Sequence, residues 1–491
     1  MVAQPVKEGK RISTASVPDG GRQIMRGAYA TAAGFAVRLG ARLLFLFIAG
    51  RLFGATALGA FLLATAVVEL AVAVANLGTK KLLFPLLDDR REREPGHIVL
   101  DAAVPVVVAA AMLALPIGAL ALVLPGPGLM LAIVAPMIAG QALLDLFLAA
   151  TRWRGAVRFE VVGRSILEPY AGVAGTLTAW WLGAGTLGLA WGYVVGTLAA
   201  LAYAVRGAQG ALDGFGLRRW RPSWPIIVRL LAMAKANTAS DALTALYQRL
   251  DLYLVGLLLG PGAAGLYGMA RQVSVPIRQI RQSFDGLLIP LVARSAARDG
   301  GPATGAALAS AARLVLAIQL PVVLALVATG EPLLEAFGPG FGVAYTALVL
   351  LAAAEAVQAA FGTGDLLFVY LNPRVGLTQT IVGIGVGVGV AVMLLPAVGI
   401  TGGAIAVLAG YLVRAAMRAW ALRRRLGVTV PLAHPAGPLI AAAAGAAAIV
   451  VTAPAGDWIG LAAGLSAYAG VILLWLRVTG ESLRLRGFSP G

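Results

Sequence analysis

The sequence predicts an all-α polytopic membrane protein of about fourteen spanning helices. Hydrophobic residues make up 59% of the chain and charged residues 12%, against about 25% charged in soluble domains. Apolar runs of about 20 residues, long enough to cross a bilayer as a helix, recur from Met25 almost to the C-terminus. Lys and Arg are partitioned between alternate connections, as in a chain that crosses a membrane repeatedly. The short alternating strands of a transmembrane barrel are absent from the pattern.

The elements follow from those runs and the breaks between them. Residues 1–25 are polar and basic, without a short apolar core and cleavage site, and read as a cytoplasmic tail rather than a signal peptide. Helices are expected at 26–50, 56–80, 98–123, 128–151, 165–183 and 186–206, which together form a first lobe over 26–206. The basic stretch Leu217-Arg218-Arg219-Trp220-Arg221-Pro222 marks a linker over 207–226. A second lobe over 227–425 contains 227–259, 263–291, 305–329, 343–370, 375–395 and 400–420. Two more helices, 436–453 and 458–477, fill 426–478 before a tail at 479–491. Pro-Gly clusters at Pro125–Gly128, Gly260–Gly262 and Gly338–Gly340 punctuate the turns.

Of the 39 Lys and Arg residues, 29 fall in the termini and one set of connections, and the opposite set holds only Arg51. The positive-inside rule then expects both termini and the basic loops in the cytoplasm. The basic runs are expected to meet anionic lipid headgroups, which leaves a nucleic-acid role without support. Connections on the other face are too short for a folded domain, so an enzyme with an extracytoplasmic active site is disfavoured. With no cysteine there is no disulfide framework or thiolate metal site. The two histidines, His97 and His434, lie in expected loops. No cofactor is expected, and no segment demands more than a monomer.

The first block repeats in the second. Gly50-Arg51-Leu52-Phe53-Gly54, Gly59-Ala60-Phe61 and Ala64 return 206 residues later as Gly256-Leu257-Leu258-Leu259-Gly260, Gly265-Leu266-Tyr267 and Ala270. Gly185-Thr186-Leu187-Gly188-Leu189-Ala190 returns 214 residues later as Gly399-Ile400-Thr401-Gly402-Gly403-Ala404. Six helices per block make the repeat parallel, with a substrate site expected between the halves.

These glycine-aromatic patterns, with Ala75-Asn76-Leu77-Gly78, Asp251–Gly256, Ile289-Pro290 and Leu333–Gly338, resemble the polysaccharide flippases over roughly residues 24–425. That family lies in the multidrug/oligosaccharidyl-lipid/polysaccharide (MOP) exporter superfamily. The resemblance implies two six-helix lobes around a central cavity that opens alternately to each face. It also implies a cargo: an undecaprenyl-diphosphate-linked oligosaccharide moved to the outer leaflet for lipopolysaccharide or other surface polysaccharide. The lipid II flippase is similar in having fourteen helices, but the second helix here lacks that family's basic-aromatic run. Cation-coupled multidrug exporters share the architecture and remain an alternative.

Nine cations fall within expected spans: Arg38, Arg42, Lys235, Arg249, Arg271, Arg278, Arg281, Arg313 and Arg414. Each costs at least about 2.5–3.5 kcal/mol near the bilayer centre, so a watery cavity or an anionic cargo is expected beside them. The first seven are the candidate cargo-binding residues of a cationic cavity, because guanidinium forks suit phosphate oxygens. Arg38 and Arg278 lie nearest the middle of their helices. Arg271 and Arg281 could instead pair with acids or snorkel, and Arg313 and Arg414 sit toward cytoplasmic ends where snorkelling is expected. Of the intramembrane acids Glu69, Asp145, Asp241, Asp251, Asp285, Glu355 and Asp365, the candidates for coupling to Na⁺ or a proton are Asp241, Glu69 and Asp251. The alternative for these is a salt bridge to an Arg. Gly383, Gly385, Gly387 and Gly389 read as a helix-packing face.

Overall fold

The computed structural model describes residues 37–88, 93–123, 128–212, 214–298, 300–362, 373–428, 430 and 435–479, and every regular element among them is helical. The expected tails, the start of the first helix, the turn at Pro125–Pro127, Asp365, Tyr370 and His434 lie outside the described residues. Eleven stretches are long and apolar enough to cross a membrane, and each of the expected spans overlaps a helix. The chain is a helical membrane protein.

Two of the eleven stretches are hairpins. In the first, α1 (37–53) ends in a π-turn at Ala49–Phe53 and α2 (Gly54–Ala75) begins at Gly54, where φ is 76° and ψ 177°. The arms fold back so that the Phe45 and Phe61 rings lie 5.6 Å apart. The second joins α10 (224–259) to α11 (261–298) through Gly260, with φ 85° and ψ 176°. Asp251 meets Tyr267 and Arg271 across that turn. Gly54 and Gly260 are repeat counterparts in the same conformation, one that L side chains rarely adopt. Gly185 and Gly399, counterparts in the second echo, also have positive φ, 58° and 63°. The repeat is therefore built into the backbone.

Three expected spans differ in detail. The second ends at Ala75, because Leu77 (φ 48°) and Gly78 (φ 66°) turn the chain left-handed into a separate helix, α3 (Thr79–Asp88). The fourth is broken at Ala135-Pro136 into α5 (Gly128–Val134) and α6 (Met137–Trp153), where proline has no N–H to continue the ladder. The fifth begins earlier, as α7 (Arg158–Val162), a π-turn at Gly163–Leu167, and α8 (Glu168–Trp181). The remaining helices are α4 (Pro95–Val123), α9 (Gly188–Ala211), α12 (Gly300–Phe337), α13 (Tyr345–Gly362), α14 (Pro373–Val398), α15 (Ile400–Leu426), α16 (Ala436–Thr452) and α17 (Asp457–Thr479).

A central apolar cluster joins the lobes, with Leu46, Leu58 and Phe61 packed in the same core as Leu252, Val255, Tyr267 and Ile277. A second cluster lies in the first lobe toward the basic loops, around Leu83, Ile98, Leu144 and Leu146, and takes in Ile226 and Leu230 of α10. A third fastens α16 and α17 to α12 and α13 through Ile449, Tyr468, Leu320 and Ala359.

The lobes meet most closely where α10 runs antiparallel along α2. From one membrane face to the other, Gly59 meets Pro261, Leu63 meets Gly256, Glu69 meets Arg249, Gly78 meets Asn237 and Lys81 meets Asp241. At the face away from the basic loops the backbones touch. A Cβ on Gly59 would lie 1.8 Å from the Pro261 carbonyl oxygen, and one on Gly265 would lie 1.8 Å from that of Ala55. These four residues form two repeat-related pairs, so the contact is reciprocal. Only glycine permits helices to approach this far.

Candidate functional site

A cavity of about 700 Å³ lies in the first lobe, walled on one side by α10. Its polar lining is organised by the π-turn at Gly163–Leu167. One extra residue per turn brings Arg164 to the cavity and the adjacent Ser165 to Arg38, a distortion often found at functional sites. The Arg164 guanidinium donates to Asp145, to Glu168 at 3.0 Å and to the Gln141 carbonyl oxygen at 2.7 Å. Gln141 in turn donates to Glu168 at 2.7 Å and to Thr197 at 3.0 Å. Asp145 also accepts from Asn76 at 2.8 Å and pairs with Lys80 at 2.8 Å. The next residue after Arg164, Ser165, accepts from both Nε (3.2 Å) and Nη2 (2.8 Å) of Arg38. Charge-assisted bonds of this kind hold their groups in fixed directions.

The charges around this cavity balance. Arg38, Lys80, Lys81, Arg152 and Arg164 face Glu69, Asp145, Glu160, Glu168 and Asp241. The expectation of a cationic lining is thus corrected here: hydropathy places four of those five cations in loops, and Asp145 and Asp241, which pair with Lys80, Lys81 and Arg164, come from helices distant in sequence. The left-handed turn at Leu77-Gly78 carries Lys80 and Lys81 to the cavity. Arg164, four residues before Glu168, has the spacing of a helical ion pair as its one local signal.

A smaller cavity of about 80 Å³ lies in the second lobe, between α10, α11, α13, α14 and α15. Two ion pairs cross it. Arg271 bonds Asp251 at 2.7 Å and the Gln248 carbonyl. Arg278 donates to one oxygen of Glu355 through Nε at 2.8 Å and Nη2 at 2.5 Å. The Glu355 side chain is only 4% exposed, and a carboxylate so buried needs a cation beside it.

The seven expected cargo-binding cations therefore separate. Arg38 lines the larger cavity, and Arg271 and Arg278 line the smaller. Arg249 lines neither and grips Glu69 through two bonds of 2.7 Å. Arg42 lines neither, yet Arg249, Arg271, Arg278 and Glu69 are the charged groups that act on it. Lys235 is exposed on α10, Arg281 is half-buried, and neither lines either cavity. The three candidate coupling acids are all paired: Glu69 with Arg249, Asp241 with Lys81 at 2.8 Å, and Asp251 with Arg271. Arg313 lies over the Trp475 ring and Arg414 donates to the Tyr247 hydroxyl at 2.7 Å. Gly383 and Gly410 let α14 and α15 touch, a Cβ on Gly410 lying 3.0 Å from the Gly383 carbonyl oxygen, and Gly387 faces Ala406, whereas a Cβ on Gly385 or Gly389 would meet nothing within 4 Å, so only half of the glycine run is a packing face.

Two helical lobes related by an internal repeat, with a charged cavity inside a membrane-spanning bundle, define the architecture of this membrane protein. Comparison with known proteins specifies the class. Residues 149–340 match the family model described as "Polysaccharide biosynthesis protein". The fold is that of the MOP superfamily. The lipid II flippase MurJ in an inward closed conformation is similar with a TM-score of 0.77 at 12% identity, over 92% of this chain and 99% of that one. An inward-facing multidrug resistance MATE family transporter of the MOP superfamily is similar with a TM-score of 0.66 at 12% identity, over 79% of this chain and 94% of that one. A MOP superfamily transporter from Pyrococcus furiosus is similar with a TM-score of 0.53 at 13% identity, over 82% and 95%. No curated protein sequence matches the chain. The resemblance read from the glycine-aromatic patterns is borne out.

Proposed function

We propose that this protein is a flippase that moves an undecaprenyl-diphosphate-linked oligosaccharide from the inner to the outer leaflet of the cytoplasmic membrane by alternating access. The observation that carries the reading is the roomy, polar cavity inside a membrane bundle whose residues 149–340 match a polysaccharide biosynthesis family. A glycan and its diphosphate need hydrogen-bond donors and cations to leave water, and Arg38, Lys80, Lys81 and Arg164 supply them. The termini and basic loops face the cytoplasm in this reading. No bond is made or broken; the work is binding and conformational exchange. The pairing of Glu69, Asp241 and Asp251 with basic side chains favours a structural role for these acids over ion coupling.

Lipid II is a second candidate cargo, favoured by the extent of the structural likeness to MurJ. Glu69 is the only charged residue in α2, so the basic run of that family's second helix is missing.

The test is leaflet exchange in liposomes. Fluorescent undecaprenyl-diphosphate glycans are followed by quencher accessibility, with wild type compared against Arg38→Ala and Arg278→Ala. Exchange that requires the protein and falls in Arg38→Ala supports the reading. Uptake of a small organic cation with no exchange of any lipid-linked glycan replaces it with an exporter.

A further inference from the structure

The contacts of α10 are unlike those of an ordinary core helix. Just past its C-terminal end the hairpin is fixed by backbone packing, with Gly59 against Pro261 and Gly265 of α11 against Ala55. The start of α10 packs Ile226 and Leu230 into the apolar cluster of the first lobe, and between these two packed ends it is held to the first lobe by charge. Arg249 bonds Glu69 of α2 twice at 2.7 Å, and Asp241 bonds Lys81 of α3 at 2.8 Å. Eight residues separate Asp241 from Arg249, about 12 Å along the helix axis. Between them, Thr244, Ala245 and Gln248 form one wall of the larger cavity. Lys81, Asp241 and Glu69 line the same cavity, so an anion inside it meets Lys81 directly and Arg249 behind its partner Glu69.

We propose that α10 is a strap closed over the cavity by two exchangeable ion pairs, and that a diphosphate headgroup opens it by replacing Asp241 at Lys81 and then Glu69 at Arg249. The inference rests on the flippase reading for the identity of the cargo, but the latch itself is defined by the two pairs. Neither pair is sealed from water: the side chains are 58% and 27% exposed at Lys81 and Asp241, and 24% and 45% at Arg249 and Glu69. Exposed pairs of this kind are weak individually, and a doubly charged phosphate group competes well for the same cations. The carboxylates released by the exchange repel the incoming phosphate charge. That repulsion drives α10 away from α2 while the glycine contact at the far end acts as the pivot. The empty protein stays closed because its own carboxylates occupy the sites, and the charge of the cargo is the signal that it has arrived.

The test uses the full-length protein in nanodiscs, with spin labels on cysteines introduced at Val157 and Thr244. Both positions are exposed, and the absence of native cysteine leaves no background labelling. Inorganic diphosphate is compared with sodium chloride at equal ionic strength, and a lipid-linked diphosphate forms a separate arm. The expected result is a longer label separation with diphosphate and no change with chloride. The double variant Glu69→Gln/Asp241→Asn should populate the longer separation about tenfold more than wild type without any anion, and diphosphate should move it no further. The charge-exchanged variant Lys81→Asp/Asp241→Lys retains one pair at this position and should restore the short separation, which controls for misfolding. A wild-type separation unmoved by either diphosphate overturns the exchange. A double variant that stays closed while the exchanged variant also folds overturns the latch. Opening by inorganic diphosphate without leaflet exchange of a lipid-linked glycan keeps the latch and places the failure on the cargo reading. Response to the lipid-linked form alone keeps it too, and shows that the chain attached to the phosphates is required.

Discussion

Replacing Gly265 by Ala should force the two lobes apart at the face away from the basic loops. The new Cβ would lie 1.8 Å from the Ala55 carbonyl oxygen and 3.0 Å from the Gly59 nitrogen. Carbon and oxygen in close helix contacts stay about 3.3–3.6 Å apart, so the backbones must separate by roughly 1.5 Å. Both obstacles are backbone atoms, so a side-chain rotation cannot relieve the clash. Overpacking of this kind costs about 1–3 kcal/mol, and loss of the reciprocal Cα–H···O contacts adds about 0.5–1 kcal/mol for each. A net shift of roughly 2–3 kcal/mol lowers the closed-to-open ratio at this face by roughly 30- to 150-fold. Helix propensity alone works the other way, favouring Ala over Gly by about 1 kcal/mol, so a loss of closure is attributable to crowding. The assay is oxidative cross-linking of Thr56→Cys with Gly262→Cys, since a Cβ on Gly262 would lie 3.4 Å from the Thr56 hydroxyl oxygen. The cross-linked fraction should fall sharply in the Gly265→Ala background. Gly59→Ala should give the same loss, because its Cβ meets the Pro261 carbonyl oxygen at the same 1.8 Å. Undiminished cross-linking in Gly265→Ala would refute the closed-seam reasoning. Loss in one variant and none in the other would refute the reciprocal geometry.

Two further outcomes follow from the ion pairs. Arg278→Met should lower stability by on the order of 3 kcal/mol by stranding the buried Glu355 carboxylate. The double variant Arg278→Met/Glu355→Met should recover much of it in thermal melts in detergent. Arg164→Ala leaves Asp145 and Glu168 short of a cation and gives the cavity lining one formal negative charge, so exchange of an anionic lipid should fall at least tenfold. Arg164→Lys should restore it only in part, because an ammonium cannot present the planar fork that now reaches Asp145, Gln141 and Glu168 together.

The helices were legible because membrane spans advertise themselves through composition, and the repeat was legible because its glycines are fixed by backbone conformation. Gly54 and Gly260 need positive φ at the hairpin tips, and Gly59 and Gly265 need the absence of a Cβ. Such requirements leave identity in place while the surrounding apolar residues drift. The charged site was legible only in half. Arg38 and Arg278 stand out as cations inside apolar runs, but Ser165 lies 127 residues from Arg38 and Glu355 lies 77 from Arg278. No local period reveals partners at those separations. Arg164, Lys80 and Lys81 read as loop residues because hydropathy weighs a residue by its neighbours along the chain. The π-turn and the left-handed turn at Leu77-Gly78 move all three to the cavity, and those turns depend on one or two residues each.

The pattern of pairing explains how a bundle can hold so many charges and still accept an anion. Arg249, Arg271 and Arg278 each bond a carboxylate, Glu69, Asp251 and Glu355, which removes most of the cost of leaving a lone cation in the membrane. Arg42 shares their field, and no carboxylate bonds it among the described residues. Glu69 also belongs to the cavity lining, so these four cations and the five of the cavity together face seven carboxylates, an excess of two positive charges. A fully neutral network would give an anion no reason to enter, whereas several unpaired guanidiniums would bind it too tightly to release. A small excess of charge backed by exchangeable partners gives graded attraction, because each phosphate oxygen that an arginine takes on displaces a carboxylate oxygen it already held. The free energy then changes little from one cation to the next, as passage through a transporter requires.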